Sequence, residues 1–278
     1  MRCSALLGHT QVAAFTKMRD ANSSGAYQEY SLAPSNTTFP LGPKTEFTDA
    51  ATLPLAAMTA AICLFVKLGL NQPAQPDPSK SEDPNALVII NGASSSVGAF
   101  AVQLAKLAKY KVVGIAGSSQ NVPKELGADV VVDYRNKSDE ELAKAVVEAA
   151  KSLSTSNIAG VVDAVSEEKT GKMLAKVLQS FGGGRITTVL PNYKQEAAPA
   201  NITVLPEMVG TAYGEDSDFA AKLYRQLGKW LEEGVFKPNK VKLLANGLNS
   251  IQEGLDLLRN NKVNGFKLVY KIADTPGV

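Results

Sequence analysis

Between Leu87 and Gln103 the chain reads LVIINGASSSVGAFAVQ, an apolar run that passes straight into Gly92-Ala93-Ser94-Ser95-Ser96-Val97-Gly98 and then into a helical pattern. Small residues between a strand and a helix let backbone N–H groups approach a diphosphate at the positive end of that helix. The spacing is a relaxed dinucleotide fingerprint, with Gly92 and Gly98 kept and serines between them. A plain strand-turn-helix would have the same composition. The cofactor reading is favoured because the turn opens a run of alternating strands and helices.

The end of the next strand reads Gly114-Ile115-Ala116-Gly117-Ser118-Ser119-Gln120-Asn121, with no carboxylate until Glu125. A carboxylate here would bind the ribose 2′-hydroxyl of NAD. Its absence spares the 2′-phosphate of NADP from repulsion, and Ser118, Ser119 and Lys124 offer donors. NADPH is favoured over NADH, with simple helix capping by the serines as the alternative. Asp133, Tyr134 and Arg135 close the third strand, where a phenol and a guanidinium suit a phosphate. Surface exposure alone accounts for Arg135 equally well.

Other chemistries find no residues. The chain has one histidine, His9, and two cysteines, Cys3 and Cys63, so no zinc site of Cys and His ligands is expected. Cys63 lies in an apolar helical pattern as a small hydrophobe, Cys3 in a fraying terminus, and His9 in a solvated one. Asp139, Glu140 and Glu141 begin a helix, where the dipole favours negative charge, so paired-carboxylate catalysis need not be invoked. Trp230, with Leu223, Leu227 and Leu231, fits the apolar face of a helix.

These residues need a scaffold, and the sequence supplies one. Strands are expected at Ala86–Ile90, Lys111–Ile115, Val130–Val132, Ile158–Val162 and Arg185–Val189, alternating with helices at Gly98–Lys109, Val122–Leu126, Asp139–Lys151 and Lys169–Gln179. Continuous β-branched runs between amphipathic helices specify a parallel sheet buried on both faces, a doubly wound α/β domain. On its flanks, Gln11–Phe15, Ala26–Ala33 and Phe39–Leu41 read as short strands, Asp49–Leu68 as a helical stretch and Asn71–Asn85 as a Pro-rich connector. Helices at Ser217–Glu233 and Ser250–Asn260 and strands at Val241–Leu244 and Phe266–Ile272 follow the sheet. The flanks look like two ends of a second, smaller unit.

With 278 residues, 45% of them hydrophobic, and a formal charge of +2, the chain is neither disordered nor fibrous. Its 29 basic residues are balanced by 27 acidic ones and spread evenly, so no nucleic-acid surface is expected. The apolar stretch Leu53–Val66 is shorter than the roughly 20 residues that span a bilayer. Met1–Leu7 is too short for a secretory signal. The expectation is a cytoplasmic protein without membrane partners.

Five blocks now stand in an order that carries a resemblance: SGAYQEYSLAP (Ser24–Pro34), ATLPLAAMTAAICLF (Ala51–Phe65), GASSSVGAFAVQLAK (Gly92–Lys106), LGADVVVDY (Leu126–Tyr134) and GFKLVYKI (Gly265–Ile272). From about Val12 onward the chain resembles zinc-free medium-chain dehydrogenases/reductases, in the quinone oxidoreductase-like branch that includes fungal trans-acting enoyl reductases. The resemblance implies a Rossmann domain with NADPH in a cleft and a partial GroES-like β-rich catalytic domain. The expected divisions are a partial catalytic domain at 1–55, an NADP-binding domain at 56–215, and C-terminal helices returning to the catalytic domain at 216–278. It further implies that Ser94, Ser95, Ser96 and Val97 hold the pyrophosphate, and that Ser118, Ser119, Gln120, Asn121 and Tyr134 surround the 2′-phosphate. Leu190 would lie at the nicotinamide side, with Val263 and Asn264 reaching back to the cofactor. Thr59 matches a threonine near nicotinamide and substrate, although a hydroxyl bonded to a helix carbonyl would explain it as well. Val209, Gly210, Thr211, Ala212 and Tyr213 match a substrate-side strand. Family members begin with a longer β-rich section, so the chain reads as N-terminally truncated. A partial barrel exposes strand edges, which predicts reduced stability or a compensating partner.

Reducing a carbonyl requires stabilising an alkoxide, by zinc or by an acid such as Tyr with Lys nearby, and no tyrosine here has Lys four residues later. Reducing an activated C=C bond asks for hydrogen-bond donors at an enolate oxygen and a solvent proton. The inventory therefore favours an enone, enoyl or quinone acceptor. The expected assembly is a monomer or homodimer, alone or with a partner synthase. The rival is a catalytically weak NADP-binding protein of the same fold.

Overall fold

The computed structural model describes residues 10–17, 22–73, 86–155 and 157–277. The expectations for Cys3, His9, Met1–Leu7 and most of the Asn71–Asn85 connector lie outside the described residues. Strands β1 (Val12–Ala14) and β2 (Thr38–Pro40) pair antiparallel with Ala13 opposite Phe39. Between them the expected strand Ala26–Ala33 does not form. Gln28 Nε2 instead donates to the carbonyls of Asn22, Ser23 and Gly25 at 3.1, 3.0 and 2.7 Å, and Leu32 N–H to Ser23 O at 2.8 Å. Tyr27, Tyr30 and Leu32 remain exposed. Strand propensity is realised only against a neighbour, and here local bonds take up the polar backbone groups.

Helix α1 (Phe47–Ala50) and α2 (Pro54–Ala61), with its π-helical continuation Ile62–Lys67, replace the single stretch read over Asp49–Leu68. The break falls where Thr52 Oγ1 donates to Asp49 O at 2.8 Å and Pro54 brings no N–H to continue the ladder. By length and composition the run Phe47–Lys67 could cross a membrane, longer than the apolar stretch the sequence suggested. Its most apolar window is 78% buried, as in the core helix of a soluble protein.

The chain divides into two units, Thr59–Met208, and Met1–Met58 together with Val209–Val278. The first is built from β3 (Leu87–Asn91), α3 (Ser96–Leu107), β4 (Lys111–Ala116), α4 (Asn121–Glu125), β5 (Val130–Asp133), α5 (Asp139–Ser152), β6 (Ile158–Asp163), α6 (Glu168–Gln179), β7 (Gly184–Thr188) and β8 (Ile202–Pro206). All strands are parallel in the order β5-β4-β3-β6-β7-β8, so the winding reverses between β3 and β6. This is the doubly wound sheet the sequence specifies, each expected element lying within two residues of the observed one. Strand β8 was not anticipated. Its only signal is a five-residue alternation in which Ile202 and Val204 are buried and Thr203 exposed.

One face of this sheet forms a continuous core in which Leu87, Ile89, Ile115 and Ile186 join Val146 of α5 and Leu174 of α6. Each such fully buried side chain contributes about 1.5–3 kcal/mol. Helix α5 starts at a capping box: Ser138 Oγ accepts from Glu141 N–H at 3.3 Å, and Glu141 Oε2 accepts from Ser138 N–H at 2.8 Å. These bonds hold the Glu141 carboxyl below its ordinary range, and Lys176 does the same for Glu140.

In the second unit, α7 (Ser217–Glu232) leads to β9 (Val241–Leu244), α8 (Ile251–Arg259) and β10 (Lys267–Tyr270), with β10 parallel to β9. Tyr224 stacks on Phe39 at 5.6 Å and donates to Pro54 O at 2.7 Å, while Trp230 is buried near Phe236. Val209–Tyr213 is a 3-10 helix, not the strand expected from the resemblance. Thr211 O accepts from Gly214 and Asp216 N–H at 2.9 and 3.0 Å, so the segment curls into the start of α7.

Candidate functional site

In an open parallel sheet, the loops beyond the carboxyl ends of the strands form a crevice where the winding reverses. Here that crevice lies beyond Asn91 of β3 and Asp163 of β6, which face each other in register. The Gly92–Gly98 turn rises from this edge. Gly92 takes φ +70°, and a Cβ on it would lie 2.9 Å from Val165 Cγ2. A Cβ on Gly98 would lie 2.1 Å from Gly92 O, so the helix start is pressed directly on the turn backbone. Ala93 N–H donates to Ile115 O at 2.9 Å and ties the turn to β4.

Ser95 is the N-cap of α3, its hydroxyl accepting from Gly98 N–H at 3.0 Å. Ser94, Ser96 and Val97 are half-buried around the first turn, where the leading N–H groups of a helix emerge with partial positive charge. A cradle that has no room for side chains and is faced by helix donors fits the diphosphate of a dinucleotide.

At the ends of β4 and β5, Gly117 is buried and Tyr134 lies directly over it. Ser118 is exposed, and Ser119 and Gln120 are half-buried. The N-cap of α4 is Gln120, which makes no side-chain cap bond, so the serines are not spent on capping. Lys124 Nζ donates to Gln120 Oε1 at 3.3 Å, and Gln120 Nε2 reaches Asp133 Oδ2 at 3.4 Å. Arg135 grips Asp133 through Nη2 at 2.6 Å and Nε at 3.0 Å. These bonds hold the Asp133 carboxyl at about 2 and push the guanidinium further up.

Leu190 is exposed just beyond β7, and Thr59 is buried in α2. One turn further along, burial pushes the Cys63 thiol up to about 12, with the negative charge of Glu207 adding to the effect. Glu207 is buried just past β8 and its N–H donates to Thr188 O at 2.8 Å. Thus Ser94–Val97, Ser118–Asn121, Tyr134 and Leu190 share the carboxyl-end rim of one sheet. Val209–Tyr213, Val263 and Asn264 belong to the other unit. There Val263 is half-buried, and Asn264 Nδ2 donates to Asn261 O at 3.1 Å. Tyr213 stacks on Phe15 at 4.8 Å and donates to Thr16 O at 2.8 Å.

Sequence reasoning passed over Asn91 and Asp163. Asn91 Nδ2 donates to Asp163 Oδ1 at 2.8 Å with both residues buried. Their signal was a polar residue closing each of two otherwise apolar strands.

A profile of the zinc-binding dehydrogenase family matches residues 96–226. The chain is 33% identical over 218 residues to trans-enoyl reductase fsr4 of Gibberella fujikuroi, covering 77% of this chain and 62% of that protein. It is 30% identical over 260 residues to trans-enoyl reductase ACTTS2 of Alternaria alternata, covering 89% of this chain and 71% of that one. The chain belongs to the medium-chain dehydrogenase/reductase family, in its trans-enoyl reductase-like branch. The CurK enoyl reductase structure superimposes with a TM-score of 0.62 at 19% identity, over 83% of this chain and 65% of that one, a likeness of fold. The chain thus spans somewhat less than two thirds of fsr4 and of CurK. Medium-chain dehydrogenases/reductases use nicotinamide cofactors, and the Gly92–Gly98 turn, just ahead of and into the matched span, has the shape for one.

Proposed function

We propose that this medium-chain dehydrogenase/reductase is an NADPH-dependent, zinc-independent reductase acting on an activated C=C bond of enone or enoyl type, or on a quinone. The observation that carries the reading is the Gly98 contact on Gly92 O at the β3/β6 reversal, which leaves a backbone cradle and helix donors for a diphosphate. The carboxylate-free stretch Ser118–Asn121, with Lys124 beside it, favours NADPH over NADH. In this reading Ser94–Val97 hold the diphosphate, Ser118–Asn121 with Tyr134 the 2′-phosphate, and Leu190, Val263 and Asn264 the nicotinamide end.

Bound NADPH supplies hydride. The protein has to exclude water, orient the acceptor and offer hydrogen-bond donors to the oxygen on which charge collects. Thr59 is the candidate donor, and Val209–Tyr213 shape the acceptor side. Tyr213 contributes shape, because its phenol already donates to Thr16 O. The final proton comes from solvent. The residues of this stretch support zinc independence: one histidine, and two cysteines of which Cys63 is a buried thiol held up to about 12. A partner synthase presenting the acyl chain belongs to the same proposal.

Calorimetry with NADPH, coupled to loss of NADPH absorbance with a quinone and with an α,β-unsaturated ketone, tests the reading. Binding and turnover with at least one acceptor are expected. Binding without turnover across several acceptors supports a nucleotide-binding protein instead, and no binding refutes both.

A further inference from the structure

Ser166 joins the turn after β6 to the turn after β7. It is fully buried and takes φ +59°, the left-handed conformation that side-chain-bearing residues avoid. Its hydroxyl donates to the Asp163 main-chain carbonyl at 2.6 Å and accepts from Val189 N–H at 2.8 Å. Its own N–H donates to Asp163 Oδ1 at 2.9 Å. That carboxylate also accepts from Asn91 Nδ2 at 2.8 Å, Val165 N–H at 3.1 Å and Thr170 Oγ1 at 2.6 Å. Backbone strain that is over-determined by its surroundings clusters at sites where geometry matters to function.

The location gives that strain a task. A dinucleotide lies across the reversal point, one half over β3–β5 and the other over β6–β8. The diphosphate cradle is at Gly92–Gly98, whereas Val189 precedes Leu190 on the other half.

We propose that Ser166 is a positioning residue for hydride transfer, clamping the Val189–Leu190 turn to β6 so that the nicotinamide ring is held at one angle. The proposal rests on the reductase reading. Loss of the clamp should spare the diphosphate grip and misalign the reacting carbons.

Ser166→Gly keeps the left-handed backbone and drops the hydroxyl, whereas Ser166→Ala drops the hydroxyl and keeps the strain. Expected for both is a kcat lower by about tenfold or more, since small misplacements are costly in near-attack geometry, with NADPH Kd within about twofold of wild type. The primary isotope effect with C4-deuterated NADPH should rise as hydride transfer becomes more rate-limiting. A merely structural role would lower the melting temperature or the active fraction and leave the isotope effect alone. Wild-type kcat and isotope effect in both variants would overturn the proposal while the reductase reading stands, as would matched losses in Kd and kcat. A wild-type chain that binds no NADPH, or reduces no acceptor, overturns the reading and the proposal together.

Discussion

The Tyr134 ring lies so close over Gly117 that a Cβ there would stand 2.7 Å from its Cζ and its hydroxyl oxygen. The contact sets the ring at the rim where the adenosine half of a nucleotide is expected. Gly117→Ala would push Tyr134, half of whose surface is exposed, outward into solvent. Gly117 is buried but the obstacle is a half-exposed ring that can swing away, so we expect only a small loss of stability, together with weaker NADPH binding. Calorimetry and thermal melting of one variant check both. Unaltered affinity would remove Tyr134 from the site.

In the proposed reading cofactor choice turns on Ser118, exposed beyond β4 with no carboxylate until Glu125. Ser118→Asp puts a negative charge beside the 2′-phosphate and should weaken NADPH more than NADH by about tenfold, the effect of one unfavourable close charge. Parallel titrations with the two nucleotides read the ratio. Equal effects on both would reject this assignment of the 2′-phosphate site.

The sheet was legible because fully buried parallel strands are written as continuous β-branched runs such as Leu87–Ile90, which no surface element imitates. The glycine turn was legible because its chemistry is local. Ala26–Ala33 and Val209–Tyr213 misled because a strand exists only with a neighbour, and neither segment has a ladder to join among the described residues. Strand β8 is short and ends at Pro206, leaving too little periodicity to see. The Asn91, Asp163 and Ser166 network was invisible because it joins two strand ends 72 residues apart and then two turns through a left-handed backbone. Neither property has a period.

Gly98→Ala is a harsher test than Gly117→Ala, because the obstacle is backbone. Its Cβ would meet Gly92 O at 2.1 Å, with Gly92 C and Ala93 Cα within 3 Å. Overpacking of this kind costs about 1–3 kcal/mol and displaces the helix start from the turn. The expected outcome is a lower melting temperature and lost NADPH binding. A folded variant with unaltered affinity would show that the cradle does not hold the diphosphate.

Asp133 is the one carboxylate in the proposed phosphate region, and Arg135 neutralises it. With its pKa depressed to about 2, the ion pair persists as pH falls through the ordinary carboxylate range and dissolves only near pH 2. NADPH affinity should therefore show no titration of this group between about pH 5 and 8. Asp133→Asn should release Arg135 toward the phosphate and raise the NADPH-to-NADH preference. The pair is exposed, so little change in melting temperature is expected. A drop in preference would mean that Asp133 positions Arg135 instead of competing for it.

The Cys63 thiol gives a pH signature at the other end of the scale. Its pKa rises from 9.0 to about 12 on folding because the thiolate would be wholly desolvated. Below about pH 9 it is neutral in both states and adds no pH dependence. Above that, the unfolded chain ionises and the folded one does not, so stability falls by about 1.4 kcal/mol per pH unit until the folded thiol titrates. In a Cys3→Ser background, denaturant titrations between about pH 9 and 10 should show this contribution and Cys63→Ala should remove it, below the range in which the buried Tyr193 and Tyr224 phenols, also pushed up, add their own. Native protein at about pH 8 should resist iodoacetamide on the timescale that labels the unfolded chain, since only the thiolate reacts. Rapid labelling of the folded protein would mean that the α2 region opens readily, and would withdraw Cys63 as a marker of an intact core.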